Sequence, residues 1–347
     1  MDVPGKRLGH TRMNGRITVR IMTVVILYHP TMLLNLSSRH IPCPAKTIFG
    51  RRGPLVIEIG HGNGSFLRHL AIRHPDWNLL GAESSLGSVS RTFRRLKHAG
   101  TTNVRLYHGS GLFILRNVVP VNSVHRVYIN FPDPWPKKRH QDRRLLQSSF
   151  FKLAAGRLAP SGSIWLTTDH AEYFDFSVAN GKAAPHFSVD TTADPPAAAR
   201  KTKYARRWID EGKIIYHARF CKESEPAHPI KPTITTQPGT MHHAILQGTI
   251  PDVDAFEKQV HAFDSGHVIL LDAARPLGDD RLILFVRVDE PELTQELLVE
   301  VRPHEQGVFV GVMPFARPLS TPGTRAAIRI TSRWLEGCGL RLQQQSF

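Results

Sequence analysis

The sequence predicts an α/β fold: an open, doubly wound sheet covered by helices, followed by a second, smaller α+β domain. Three observations predict it. From residue 54, short runs rich in Val, Ile and Leu alternate with amphipathic helical stretches, the order of a mostly parallel sheet. At 224–240 the chain reads SEPAHPIKPTITTQPGT, a Pro/Thr-rich linker. Beyond it lie closely spaced β-type runs, with helical patterns only near 252–263 and 322–336.

Residues 1–37 read as a basic extension. Its apolar stretch IMTVVILYHPTMLLNL (21–36) is broken by His29 and Pro30 and falls short of the ~18 apolar residues of a membrane span. The first domain is expected over 38–223. PLVIEIG (54–60) is a buried strand ending in glycine. SFLRHLAIRHP (65–75) places Phe66, Leu67, Leu70 and Ala71 at helical spacing and stops at Pro75. NLLGAE (78–83) is the second strand, and SLGSVSRTFRRLKHAG (85–100) a basic amphipathic helix closed by Gly100. VRLYHG (104–109), VHRVYINF (124–131) and SIWLTTD (163–169) continue the strands, with a helix expected over 141–159. HFSVD (186–190) and KIIYHARF (213–220) are late strands able to pair antiparallel. The C-terminal α+β domain, 241–347, carries no catalytic motif.

Charge is unevenly spread over the chain's net +16. Residues 1–52 hold nine Lys/Arg against one acid, residues 53–225 hold 25 against 14, and residues 226–347 hold 11 against 14. A polyanion partner for the first two-thirds follows, because each neutralised phosphate releases counterions. The three cysteines are widely spaced without a CxxC pair, which argues against a zinc centre or disulfide scaffold and fits a reducing cytoplasm.

Two motifs carry chemistry. EIGHGNG (58–64) joins a strand to a helix, and Gly60, Gly62 and Gly64 let the backbone turn and approach a ligand. Glu83 ends the next strand, where an acid can take two ribose hydroxyls. A dinucleotide fold meets both conditions, but the spacing is GxGxG, with Ser65 at the third glycine of GxGxxG. The second motif, NFPDPWPKKRH (130–140), holds Asp133 between two prolines. Trp135 offers a stacking face, and Lys137, Lys138, Arg139, Arg143 and Arg144 are read as cations able to follow a phosphate backbone.

The blocks EIGHGNG, GAE, YINFPDPWPKKRHQDRRL, TTDHAEYF and TKYARRW resemble the bacterial tRNA (guanine-N7-)-methyltransferase family over about residues 38–222. That resemblance implies a Rossmann-like class I methyltransferase sheet, S-adenosylmethionine as cofactor, tRNA as partner and guanine N7 as acceptor, usually at position 46 of the variable loop. It implies cofactor contacts from Glu58, Gly60, Gly62, Gly64, Glu83, Ser110 and Asp133, with Asp133 also the catalytic residue. Lys137, Asp169, Thr202, Lys203, Tyr204 and Ala205 fall at its substrate-binding positions. No metal and no membrane enter, and monomer and homodimer both stay open. The chain departs from the family at Ser110, usually Asp or Asn, and at Ala205, usually Glu. Those departures keep a non-catalytic or weakly active tRNA-binding protein in play, and the glycine loop keeps an NAD(P)-dependent oxidoreductase as a more distant reading.

Overall fold

The computed structural model describes residues 32–236, 242–253, 255–315 and 317–346. The extension's first 31 residues therefore lie outside the described residues, as do 237–240 of the linker and residue 241. Two seven-stranded sheets organise the rest.

The first sheet contains β1 (Leu55–Ile59), β2 (Asn78–Glu83), β3 (Val104–His108), β4 (Val124–Asn130), β5 (Leu158–Thr168), β6 (Phe187–Asp190) and β7 (Tyr216–Lys222). Their order is β3-β2-β1-β4-β5-β7-β6; the first five are parallel, and β7 runs antiparallel to both β5 and β6. Leu55, Val56 and Ile57 of β1 are all buried, as a central strand covered on both faces requires. Around the sheet lie α1 (Ala45–Phe49), α2 (Ser65–Arg73), α3 (Leu86–His98), the helical stretch α4 (Gly111–Phe113, continuing as a π-helix over Ile114–Val118), α5 (Ser148–Arg157), α6 (Ala171–Ala183), α7 (Ala197–Arg200) and α8 (Lys203–Asp210). Strand order reverses between β1 and β4, so a crevice opens beyond their carboxyl ends.

The helix expected over 141–159 is shorter. Lys138–Arg143 is a 3-10 turn and α5 starts only at Ser148, because the Gln147 side chain donates to the Arg144 carbonyl (2.9 Å) and Arg144 itself turns inward. At the other end the chain passes from α5 directly into β5. Pro160 and its neighbours sit in a register shift against β4, where Ser161 takes φ 61°.

The second sheet has β8 (His243–Gln247), β9 (Gln259–Phe263), β10 (Gly266–Ala274), β11 (Leu282–Glu290), β12 (Leu293–His304), β13 (Gly307–Val312) and β14 (Arg341–Gln345), in the order β14-β8-β13-β12-β11-β10-β9. Every pair is antiparallel, and α9 (Pro322–Gly337) covers one face with Ala326, Ala327, Ile328 and Leu335. The helix expected near 252–263 is corrected: 259–263 is the edge strand β9. The i, i+3, i+7 spacing of Val253, Phe256 and Val260 imitates a helix, but the first two pack on the core from irregular chain while Val260 is exposed on the strand.

The Pro/Thr-rich stretch is fastened to the first sheet's layer. Buried Asn117 accepts the N–H groups of Thr233 (2.8 Å) and Ile234 (2.9 Å), and Arg157 donates to the Ile230 carbonyl (2.8 Å). At the sheet's far side, Leu106 donates to the Met32 carbonyl and accepts from Leu34, both at 2.8 Å, so residues 32–34 lie along β3. Among the described residues no helix is long and apolar enough to cross a membrane.

Candidate active site

The glycine loop turns as its residues require. Gly60, Gly62 and Gly64 take φ of 74°, 52° and 71°, a region that favours glycine. A Cβ on Gly60 or Gly62 would meet nothing within 4 Å, so that side of the loop is open. One on Gly64 would lie 2.3 Å from Thr92, so the loop's end is pressed on α3. His61 is buried beneath it, with Nδ1 3.2 Å from the Thr92 hydroxyl, which also donates to the Gly62 carbonyl (3.1 Å). Burial pushes the His61 imidazole down to about 4, so it is neutral at physiological pH.

Two acids frame the loop. Glu83, at the end of β2, accepts the N–H groups of Gly62 (2.9 Å) and Ser85 (2.8 Å), tying the loop to the second strand. Glu58 is 2% exposed and accepts from Asn130 Nδ2 at 3.3 Å. Burial pushes its carboxyl up to about 8; Asn130 opposes this and Glu83 adds to it. Glu58 Oε2, Asn130 Oδ1 and His61 Nε2 are buried without a hydrogen-bond partner. The orphans of Glu58 and Asn130, near the carboxyl ends of β1 and β4, fit a ligand with its own donors and positive charge. An S-adenosylmethionine molecule, with its ammonium and sulfonium, suits these acceptors, and the open faces of Gly60 and Gly62 leave room for it.

Asp133 is exposed just past β4, beside the crevice. Its frame is stiffer than the prolines alone make it, because Phe131 and Trp135 hold φ of 51° and 42°, costly for residues with side chains. Phe131 N–H donates to the Thr167 carbonyl of β5 (2.7 Å). Arg144 does not follow a phosphate backbone: it is 3% exposed and clamps the frame from inside. Its guanidinium donates to the carbonyls of Pro134 (3.0 Å) and Trp135 (3.4 Å) and to Glu172 (2.8 Å). Arg143 lies over the Trp135 ring, 5.1 Å from its centroid, taking one of the faces that the sequence offered for base stacking.

The remaining residues separate by exposure. Lys137, just before the 3-10 turn, and Lys138 and Arg139 within it are exposed. Asp169, half-buried past β5, lies 3.8 Å from Lys213 Nζ. Ser110 caps α4, its hydroxyl accepting from Leu112 (3.2 Å) and Phe113 (3.4 Å). Thr202 is buried and caps α8, accepting from Ala205 N–H (3.2 Å) and donating to the Ala199 carbonyl (2.9 Å). Ala205 is fully buried, and Lys203 and Tyr204 open α8. Sequence reasoning missed Asn130, Thr92 and the inward role of Arg144. Asn130 stood inside the quoted motif, and a polar residue ending a buried strand was its available signal.

Strand order, glycine loop and flanking acids together define a Rossmann-like methyltransferase of class I. Residues 52–218 match the family model Methyltransf_4, described as "Putative methyltransferase". The chain is 43% identical over 303 residues to a tRNA (guanine-N(7)-)-methyltransferase of Thermus thermophilus, a match covering 87% of this chain and 96% of the relative. It is 37% identical to one of Deinococcus radiodurans (85% and 92%) and 29% identical to one of Thermotoga maritima (83% and 91%). The chain belongs to the tRNA (guanine-N(7)-)-methyltransferase family.

Proposed function

We propose that this enzyme transfers a methyl group from S-adenosylmethionine to N7 of a guanine in tRNA, at position 46 of the variable loop. The observation that carries the reading is the juxtaposition of Asp133, held out in a clamped frame, with a glycine loop, buried Glu58 and half-buried Glu83 at neighbouring strand ends. Bound S-adenosylmethionine supplies a methyl group already activated on a sulfonium. Guanine N7 carries an in-plane lone pair and no proton, so no general base is required. The chain's contribution is alignment, worth roughly 7–11 kcal/mol where reactants are well placed.

In this reading Glu83 takes the ribose hydroxyls with its remaining lone pairs, and Glu58 with Asn130 receives positive charge. Gly60, Gly62 and Gly64 pass close to the cofactor without side chains between. Ser110 keeps a hydroxyl proton to donate toward the adenine side. Asp133 accepts guanine's N1–H and amino donors and offsets charge developing on the purine. Lys137 and Asp169 flank the entering nucleotide. Buried Thr202 and Ala205 seat the start of α8, and the segment Thr202–Ala205 is the one this reading gives to substrate binding. The cytoplasm, where tRNA is found, is the compartment this activity needs.

The test is nucleoside mapping after reaction of unmodified tRNA transcripts with labelled S-adenosylmethionine. Label in 7-methylguanosine at the variable loop is expected, and a transcript with that guanine replaced by adenine is expected to accept none. Label elsewhere, or on another base, contradicts the reading.

A further inference from the structure

We propose that the open groove between α2 and α8 binds backbone phosphates of the tRNA strand where it leaves the reacting guanine. This deepens the tRNA reading above and rests on it. The groove starts at Asn63 in the glycine loop and Ser65, the first residue of α2, so it leads away from the crevice where methyl transfer is placed. Arg68 of α2, Arg95 of α3 and Lys201 at the end of α7 line it, and all three are exposed. Arg207 lines it too, but its guanidinium is bound to Glu211 at 2.8 Å. Among the described residues Arg68, Arg95 and Lys201 have no ion-pair partner, and the groove's remaining acid is Asp210. Three uncompensated cations therefore face one carboxylate.

His69, beside them, records this imbalance. Its imidazole is held below the ordinary value, first by burial and then by Lys201, Arg73 and Arg68. The ligand class follows from exposure. A small anion is held by desolvated, converging donors, whereas solvent-exposed cations spread along an open channel gain little from one charge. They gain from a polyanion, through counterion release at each contact. An RNA strand running from the crevice provides such a polyanion in register with the groove.

The test measures tRNA affinity of the full chain against salt, for wild type and for the triple variant Arg68→Ala/Arg95→Ala/Lys201→Ala. A second triple variant, Arg325→Ala/Arg329→Ala/Arg333→Ala, removes the same charge from the exposed side of α9. The groove variant is expected to flatten the slope of log affinity against log salt by about 2–3, roughly one phosphate per cation. Its KM for tRNA is expected to rise on the order of tenfold or more, with S-adenosylmethionine affinity retained as proof of folding. The α9 variant is expected to keep the wild-type slope. An unchanged slope in the groove variant overturns the inference, and so does an equal loss in both variants. If wild type itself methylates no tRNA, the reading of function fails instead, an outcome the same assay separates.

Discussion

Glu58 joins chemistry to stability. Its carboxyl, raised to about 8 by burial, is mostly protonated in the folded chain at neutral pH. A group raised on folding contributes stability at pH below its unfolded value, and that contribution is lost as pH rises through about 8. The Tm of wild type is therefore expected to fall from about pH 6 to about pH 9, and that of Glu58→Gln to fall less. A cationic ligand reverses the preference and draws a proton off. Calorimetry in buffers of different ionisation enthalpy is expected to show proton release on S-adenosylmethionine binding near pH 7, with affinity rising toward higher pH. The neighbours that bear on this are Glu83, Tyr128 and His61. His61, already neutral, cannot supply the proton. Glu58→Gln with undiminished proton release would assign the titration to another group.

The loop after β4 is built by elements far apart in the chain. Prolines on either side of Asp133 were legible in the sequence, and so was the glycine loop, because both act through their own backbone. Arg144 was not: its charge pattern is that of a phosphate contact, and only the packing of the Trp135 frame against α6 turns it inward. Arg144→Ala leaves the carbonyls of Pro134 and Trp135 without this donor, while exposed Glu172 keeps Gln141, so the loss falls on the frame after Asp133. The expected result is a fall in kcat of tenfold or more, larger than any change in S-adenosylmethionine affinity. Equal kcat in the variant would mean that the frame holds without its clamp. The shortened α5 has the same origin, since 3.6-residue periodicity carries no record of a side chain drawn away to cap a loop.

Across the whole molecule the two sheets are joined by more than a tether. Arg116 pairs with Glu292 at 2.9 Å, Leu293 and Leu319 complete the first core, and the 230–234 stretch is stitched down by Asn117 and Arg157. Composition marked the Pro/Thr-rich stretch as a spacer, because its anchors lie 73 to 117 residues upstream. Asn117→Ala is expected to lower Tm by a few degrees, through the ~1–3 kcal/mol of unsatisfied backbone donors, while leaving the pH dependence of cofactor binding unchanged. The uneven charge of the chain matches this plan, with its basic excess in the part that carries the crevice and the groove. The most direct test of the account compares methyl transfer to tRNA by wild type and Asp133→Asn, at saturating tRNA and with cofactor affinity measured alongside. Wild type is expected to form 7-methylguanosine and the variant to be slower by about 10²–10³-fold, the scale of losing one preorganised electrostatic partner. Wild-type binding of tRNA without methyl transfer, or equal rates for the two proteins, would contradict it.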